Sequence, residues 1–197
     1  MPAPRDDFTA VRRDVLRYLR LIGAVIAALW LIEILDWVVF RGSLDTFGLE
    51  PRARRGLPGV VLHPLLHIGA AHLTANSVSF AIFGFMVLLR DQRDFWNVSA
   101  LAWLVGGVGT WLVGHAGNHI GASGVIFGYF GYLLLTGWFD RRFGATLLSV
   151  VVLLLWGHVL FGLLPFQRGM SWELHVFGFI GGVLGAWLRG RRRRGSD

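Results

Sequence analysis

Six apolar runs broken up by arginines constrain this chain more than any other feature. A helix needs about 20 mainly apolar residues to cross the hydrocarbon core of a bilayer. Helices and closed barrels are the structures that satisfy their own backbone there. The runs are 19–40, 72–89, 95–113, 123–139, 143–161 and 174–188. Hydrophobic residues fill 54% of the 197 positions and charged residues only 16%, against roughly 25% charged in soluble proteins. No stretch is left for a separate soluble domain. The expectation is an all-α integral membrane protein forming a single domain over 1–197. Arginines precede the first run, but no small-residue cleavage site follows it, so it reads as a retained span rather than a signal peptide.

All 19 basic residues are arginine, a bias that fits a GC-rich bacterial genome. Loops that stay in the cytoplasm carry the excess of basic residues. With the N-terminus inside, 14 arginines fall on the inner side and 5 on the outer side, these being Arg41, Arg52, Arg54, Arg55 and Arg168. Both termini are therefore expected in the cytoplasm. Residues 1–18 form an N-terminal cytoplasmic segment, 41–71 a long first outer loop, and 189–197 a basic cytoplasmic tail. The apolar end of that loop, 57–66, should lie in the membrane interface or against the bundle. A basic nucleic-acid binder would gather its charge on one soluble face, which this pattern excludes. The net charge of +7 is read as fixing topology, with Arg191 to Arg194 facing an anionic leaflet. The expected location is the cell membrane, multi-pass, with the lipid bilayer as the surrounding medium.

Polar residues at membrane depth are costly and mark function by default. In the alternating topology the second, fourth and sixth runs all begin near the outer face. They begin with His72 and Asn76, with Ser123, and with His175. Three separate segments thus bring polar groups to one depth. The fourth run carries Gly124, Gly128 and Gly131, and the sixth carries Gly178, Gly181, Gly182 and Gly185. Such stripes let helix backbones approach closely in lipid, as a hydrogen bond from Ser123 to His175 requires.

A serine hydroxyl becomes a useful nucleophile when an adjacent base takes its proton, and an imidazole can then return that proton to the leaving amine. No orienting carboxylate is evident. Glu173 stands two residues from His175, and positions i and i+2 do not share a helix face. Phe127, one turn beyond Ser123, could instead hold the imidazole by stacking. The backbone N–H of Ser123 lies in the unbonded first turn of its helix. His72 and Asn76, four apart, could point at the same developing oxyanion. Glu33 and Asp36, near the outer end of the first run, are expected at the interface or paired with a loop arginine.

The motifs His72-x-x-x-Asn76, Gly121-Ala122-Ser123-Gly124 and His175-x-x-Gly178-x-x-x-Gly182, in this order on three spans, resemble the rhomboid family of intramembrane serine proteases. The resemblance implies a six-transmembrane-helix bundle that cleaves transmembrane protein substrates near the outer face. It implies Ser123 as nucleophile and His175 as base. It also implies an oxyanion hole from His72, Asn76 and the N–H of Ser123, joined by that of Ala122. Gly121, Gly124, Phe127, Gly178 and Gly182 support the site, and His63 and His67 match histidines that are structural in the family. Two departures stand out. The aromatic after the serine is Phe127 rather than the frequent tyrosine, and the first loop lacks an adjacent Trp-Arg pair.

Two other function classes compete. A histidine-based metal transporter would use His63, His67 and His72, or His115 and His119, since pairs four apart suit zinc. No acidic residue neighbours either group in the sequence, so no metal and no cofactor is expected, and His115 and His119 read as loop residues at the mouth of the site. An inactive relative that binds or escorts membrane proteins would lack the serine or the histidine. An elbow-type serine hydrolase needs G-x-S-x-G after a strand, and Val125 stands where the last glycine would be. His158, in the fifth run, reads as a packed or helix-bonded histidine. The sequence carries no signal for oligomeric state.

Overall fold

Proline is missing from every apolar run, so each can complete its backbone bonds as a helix. The structure, a computed structural model, describes residues 4–166 and 169–195. Arg168, the fifth arginine of the outer group, lies outside the described residues.

Helix α1 spans Pro4–Leu35 and continues through a wider π-helical turn, Asp36–Phe40. It thus begins well before residue 19. A left-handed Arg41 (φ 53°) ends it. The following segment is built from short turns, including α2 at Gly59–Leu62 and a 3-10 turn at His63–Leu65. Five longer helices follow: α3 (Gly69–Arg90), α4 (Gln92–Val113), α5 (Ser123–Asp140), α6 (Phe143–Trp156) and α7 (Trp172–Arg194). The stretch 191–194 is therefore the last turn of α7. Among the described residues, four helices are long and apolar enough to cross a membrane: Phe8–Phe40, Gly69–Arg90, Gln92–Val113 and Phe143–Leu163. Outside helices, the only strand-like pairing among the described residues is an isolated antiparallel bridge between Leu49 and His119.

Helices α5 and α7 form the most extensive contact, and α4 packs against both. Glycine explains the closeness. A Cβ on Gly178 would overlap the Gly124 carbonyl, and one on Gly182 would overlap the Gly128 carbonyl. These four small residues let the two backbones touch, the arrangement that drives association where lipid supplies no hydrophobic push. Helix α5 is buried along most of its length. Phe80, Phe95, Tyr129 and Phe130 build the core around it, and the Tyr129 hydroxyl pairs with Ser99 at 2.7 Å.

The segment between α1 and α3 packs on the bundle. Arg52 donates from its backbone to Trp111 O and from its guanidinium to Gly114 O (2.8 Å), and Trp111 Nε1 donates to Ala53 O (3.1 Å). Trp103 Nε1 holds Val61 O at 3.0 Å. An arginine and a tryptophan from different elements thus anchor this loop. Glu33 and Asp36 are buried, and their partners differ from the arginines expected: they accept from the backbone N–H groups of Gly69 and Leu44, both at 2.9 Å. Loop amides left bare by the turns are the nearer donors. His158 also departs from expectation, lying exposed where α6 tightens into the 3-10 stretch Gly157–Leu163.

At the end of the bundle where α3, α5 and α7 finish, the arginines do more than set topology. Arg189 is only 4% exposed and pairs with Asp94 and, at 3.0 Å, with Asp140. Arg90 reaches the same Asp140 oxygen at 2.8 Å, and Tyr132 donates to Asp94 at 2.7 Å.

Candidate active site

Ser123 is the first residue of α5, and the chain reaches it through a tightly held segment. His119 exchanges both backbone bonds with Leu49, and Gly121 N–H donates to His63 O at 2.7 Å. Gly121 then adopts φ +120°, a conformation L side chains rarely take. The Ala122 N–H donates to His67 Nε2 at 3.3 Å. His63 is held by its own Nδ1–H on Gly59 O (3.0 Å). Burial lowers both imidazoles to about 4, so His63 and His67 stay neutral and act as fixed struts.

Across the α5–α7 contact, His175 Nε2 lies 3.0 Å from Ser123 Oγ. Its other nitrogen, Nδ1, lies 2.9 Å from Gly162 O. A carbonyl only accepts, so Nδ1 carries the proton and Nε2 presents its lone pair to the serine. The Phe127 ring stacks on the imidazole with centroids 4.1 Å apart and planes 11° apart. His175 is 4% exposed, whereas Ser123 is half-buried. The Gly162 carbonyl that fixes the tautomer comes from the 3-10 stretch after α6, and no sequence signal announces it.

His72 and Asn76 approach from α3. A Cβ on Gly121 would stand 2.7 Å from His72 Cε1, 2.9 Å from His72 Nε2 and 3.3 Å from Asn76 Nδ2. The missing side chain therefore leaves a notch lined by those two residues, one residue from the Ala122 cap. His72 Nδ1 accepts from Ile68 N–H at 3.4 Å, which puts its proton on Nε2, the nitrogen facing the notch. Asn76 Nδ2 is buried with no hydrogen-bond partner among the described residues. An orphaned buried amide donor is costly; here it faces Gly121, two residues ahead of the serine. The Ala122 N–H is engaged by His67, so this expected oxyanion donor already has an acceptor.

His115 and His119, read as loop residues, do sit in the connection between α4 and α5. The acidic residue absent from their sequence neighbourhood arrives from α7: Glu173 Oε1 accepts from His115 Nδ1 (2.7 Å) and from the His115 N–H (2.8 Å). Glu173 makes no contact with His175 through hydrogen bonds among the described residues. The His67 and His72 rings meet edge to face with centroids 5.3 Å apart, while His63 serves the Gly59 contact given above.

A family model, the Rhomboid domain, matches residues 54–192. An uncharacterized protein of Mycobacterium tuberculosis is 39% identical over 173 residues, covering 83% of this chain and 71% of the relative. Another from Mycobacterium leprae is 38% identical over 171 residues, covering 82% and 67%. YdcA of Bacillus subtilis, named for a proposed rhomboid protease activity, is 32% identical over 127 residues, covering 63% of each chain.

Proposed function

The chain belongs to the rhomboid family, and from that premise we propose that it is an intramembrane serine endopeptidase acting on transmembrane proteins through Ser123 and His175. The observation that carries this reading is the 3.0 Å contact between Ser123 Oγ and His175 Nε2, with the tautomer set by Gly162 O. A serine proton can then pass to Nε2 as Oγ attacks a peptide carbonyl. The imidazolium keeps its Nδ1–H on Gly162 O and its face on Phe127. It next protonates the leaving amine, and a water attacking the acyl-enzyme repeats the sequence in reverse.

Charge developing on the carbonyl oxygen needs donors already in place. Asn76 Nδ2, with no acceptor among the described residues, His72 Nε2–H and the N–H of Ser123 supply three. The Ala122 N–H could join only after leaving His67. A dyad without a carboxylate suffices in this reading, because the carbonyl and the stacked ring do the orienting.

The same reading takes all six long helices as spans, both termini as cytoplasmic, the cell membrane as the location, and 41–71 as an outer loop on one domain. The buried Arg189 cluster would then sit at the cytoplasmic end and the dyad near the outer face, where water for hydrolysis can enter. A serine-directed fluorophosphonate is expected to label the purified protein in detergent, and Ser123→Ala to abolish labelling. Equal labelling of the two proteins removes Ser123 as nucleophile. No labelling of folded wild-type protein would favour a binder or escort of membrane proteins instead.

A further inference from the structure

The site described above leaves one polar cluster unused. His115, His119 and Glu173 each offer a metal-ligating atom, and these atoms lie within 4.8 Å of one another. Glu173 is 3% exposed, yet its Oε2 has no hydrogen-bond partner among the described residues. A sealed carboxylate oxygen with nothing to accept from is expensive unless a cation joins it. His119 Nε2 faces the His115 carbonyl at 3.0 Å and so carries that ring's proton. This leaves His119 Nδ1 as the basic nitrogen, turned toward the Ser171 hydroxyl. The His115 side chain is 55% exposed, giving the cluster both a route from solvent and a ring free to swing inward.

We propose that His115, His119 and Glu173 bind a zinc ion that clips the loop ahead of Ser123 to the head of α7. Two imidazoles and a carboxylate form a recurrent zinc donor set, with bonds of about 2.0–2.2 Å and a tetrahedral arrangement. Ligand atoms must then close to roughly 3.5 Å from one another, a contraction the exposed His115 supplies by rotation. The zinc takes the place of the proton shared by His115 and Glu173, and Ser171 or a water fills the fourth position. The His115 carbonyl, accepting from His119 Nε2–H, orients that ring as neighbouring hydrogen-bond partners do in zinc sites, and Ser171 yields Nδ1 to the ion. The ion's place is structural. It lies beside the dyad, joining 115–119, just upstream of Gly121, to a residue two before His175, and takes no part in the proton transfers.

The test uses the full chain in detergent, freed of metal with a chelator and titrated with Co²⁺ as a coloured stand-in, then challenged with Zn²⁺. One saturable site is expected, with Co²⁺ displaced by Zn²⁺. His115→Ala and Glu173→Gln should each weaken binding at least about tenfold, while His158→Ala, an exposed histidine elsewhere, should leave it unchanged. Should Glu173→Gln fail to fold, the surface change His115→Ala carries the comparison. Absence of saturable binding, or equal binding by wild type and His115→Ala, overturns the site. Binding by Ser123→Ala keeps this result independent of proteolysis.

Discussion

The two ends of this helix bundle hold their polar groups in opposite ways. Helix α5 begins with Ser123 and ends with Asp140, and α7 carries His175 near its start and Arg189 near its end. At the arginine end the buried ions pair with one another: Arg189 bridges Asp94 and Asp140, while Arg90 and Tyr132 complete the cluster, although Arg90 Nε and Asp140 Oδ1 have no hydrogen-bond partner among the described residues. At the serine end the groups are held in place but left wanting. Asn76 Nδ2 and Glu173 Oε2 have no partners among the described residues, and His175 offers a lone pair to a hydroxyl. One end uses polar groups to fasten four helices, and the other keeps them poised for something that arrives. The glycine contacts between α5 and α7 lie between the two.

The sharpest break of the comparison comes from removing one reacting atom. Ser123→Ala should lower cleavage of a single-span substrate about 10⁴-fold or more, yet shift unfolding by no more than about 1 kcal/mol. Proteolysis in proteoliposomes and unfolding in mixed detergent give the two numbers. The opposite end should behave in reverse. Arg189→Ala removes the buried cation shared by Asp94 and Asp140, leaving Asp140 with Arg90 and Asp94 with Arg192 and Tyr132, and is expected to cost about 3 kcal/mol of stability. Fluorophosphonate labelling, counted per folded molecule, should stay near wild type. If Arg189→Ala silences the labelling of protein that remains folded and stable, the division of labour is wrong.

These two ends were unequally legible in the sequence. His72, Asn76, Ser123 and His175 stand out because each is a polar residue opening an apolar run, and the glycines beside them announce close packing. The contact between Ser123 and His175 could thus be expected before any coordinates. Gly162 could not be, because a backbone carbonyl has no sequence signature and its position depends on α6 tightening into a 3-10 stretch. The arginine end misled for another reason. Basic residues flanking spans usually report topology alone, and only the fold shows that Arg189 lies inside, against acids 49 and 95 residues away in sequence. Glu173 was set aside on helix spacing relative to His175, which was sound; its partner His115 lies 58 residues away. Pairings between distant elements carry no local pattern, so charge clusters built from them are the hardest part of such a chain to read.

Within the serine end, Asn76 sharpens the claim that its groups wait for a ligand. Asn76→Ala should reduce kcat by about 10²–10³ through loss of one oxyanion donor. Stability should hold, because the buried Nδ2 gives up no hydrogen bond in the resting protein. A large fall in stability with little change in kcat would mean that the amide serves packing instead.

The smallest effect concerns Asp45, on the loop that covers the serine end. Burial, and then the nearby charges of Asp36 and Glu33, raise its carboxyl to about 6 from 3.8. The folded state therefore holds this proton more tightly than the unfolded chain. Stability from this group should rise as pH falls from about 7 toward 4, the interval between the two values, and level off below it. At neutral pH the ionised carboxylate works against the fold. Asp45→Asn should thus raise the unfolding temperature slightly at pH 7 and flatten the dependence between pH 4 and 6, with the two proteins converging in acid. A parallel pH dependence in both proteins would mean that Asp45 is not the titrating group.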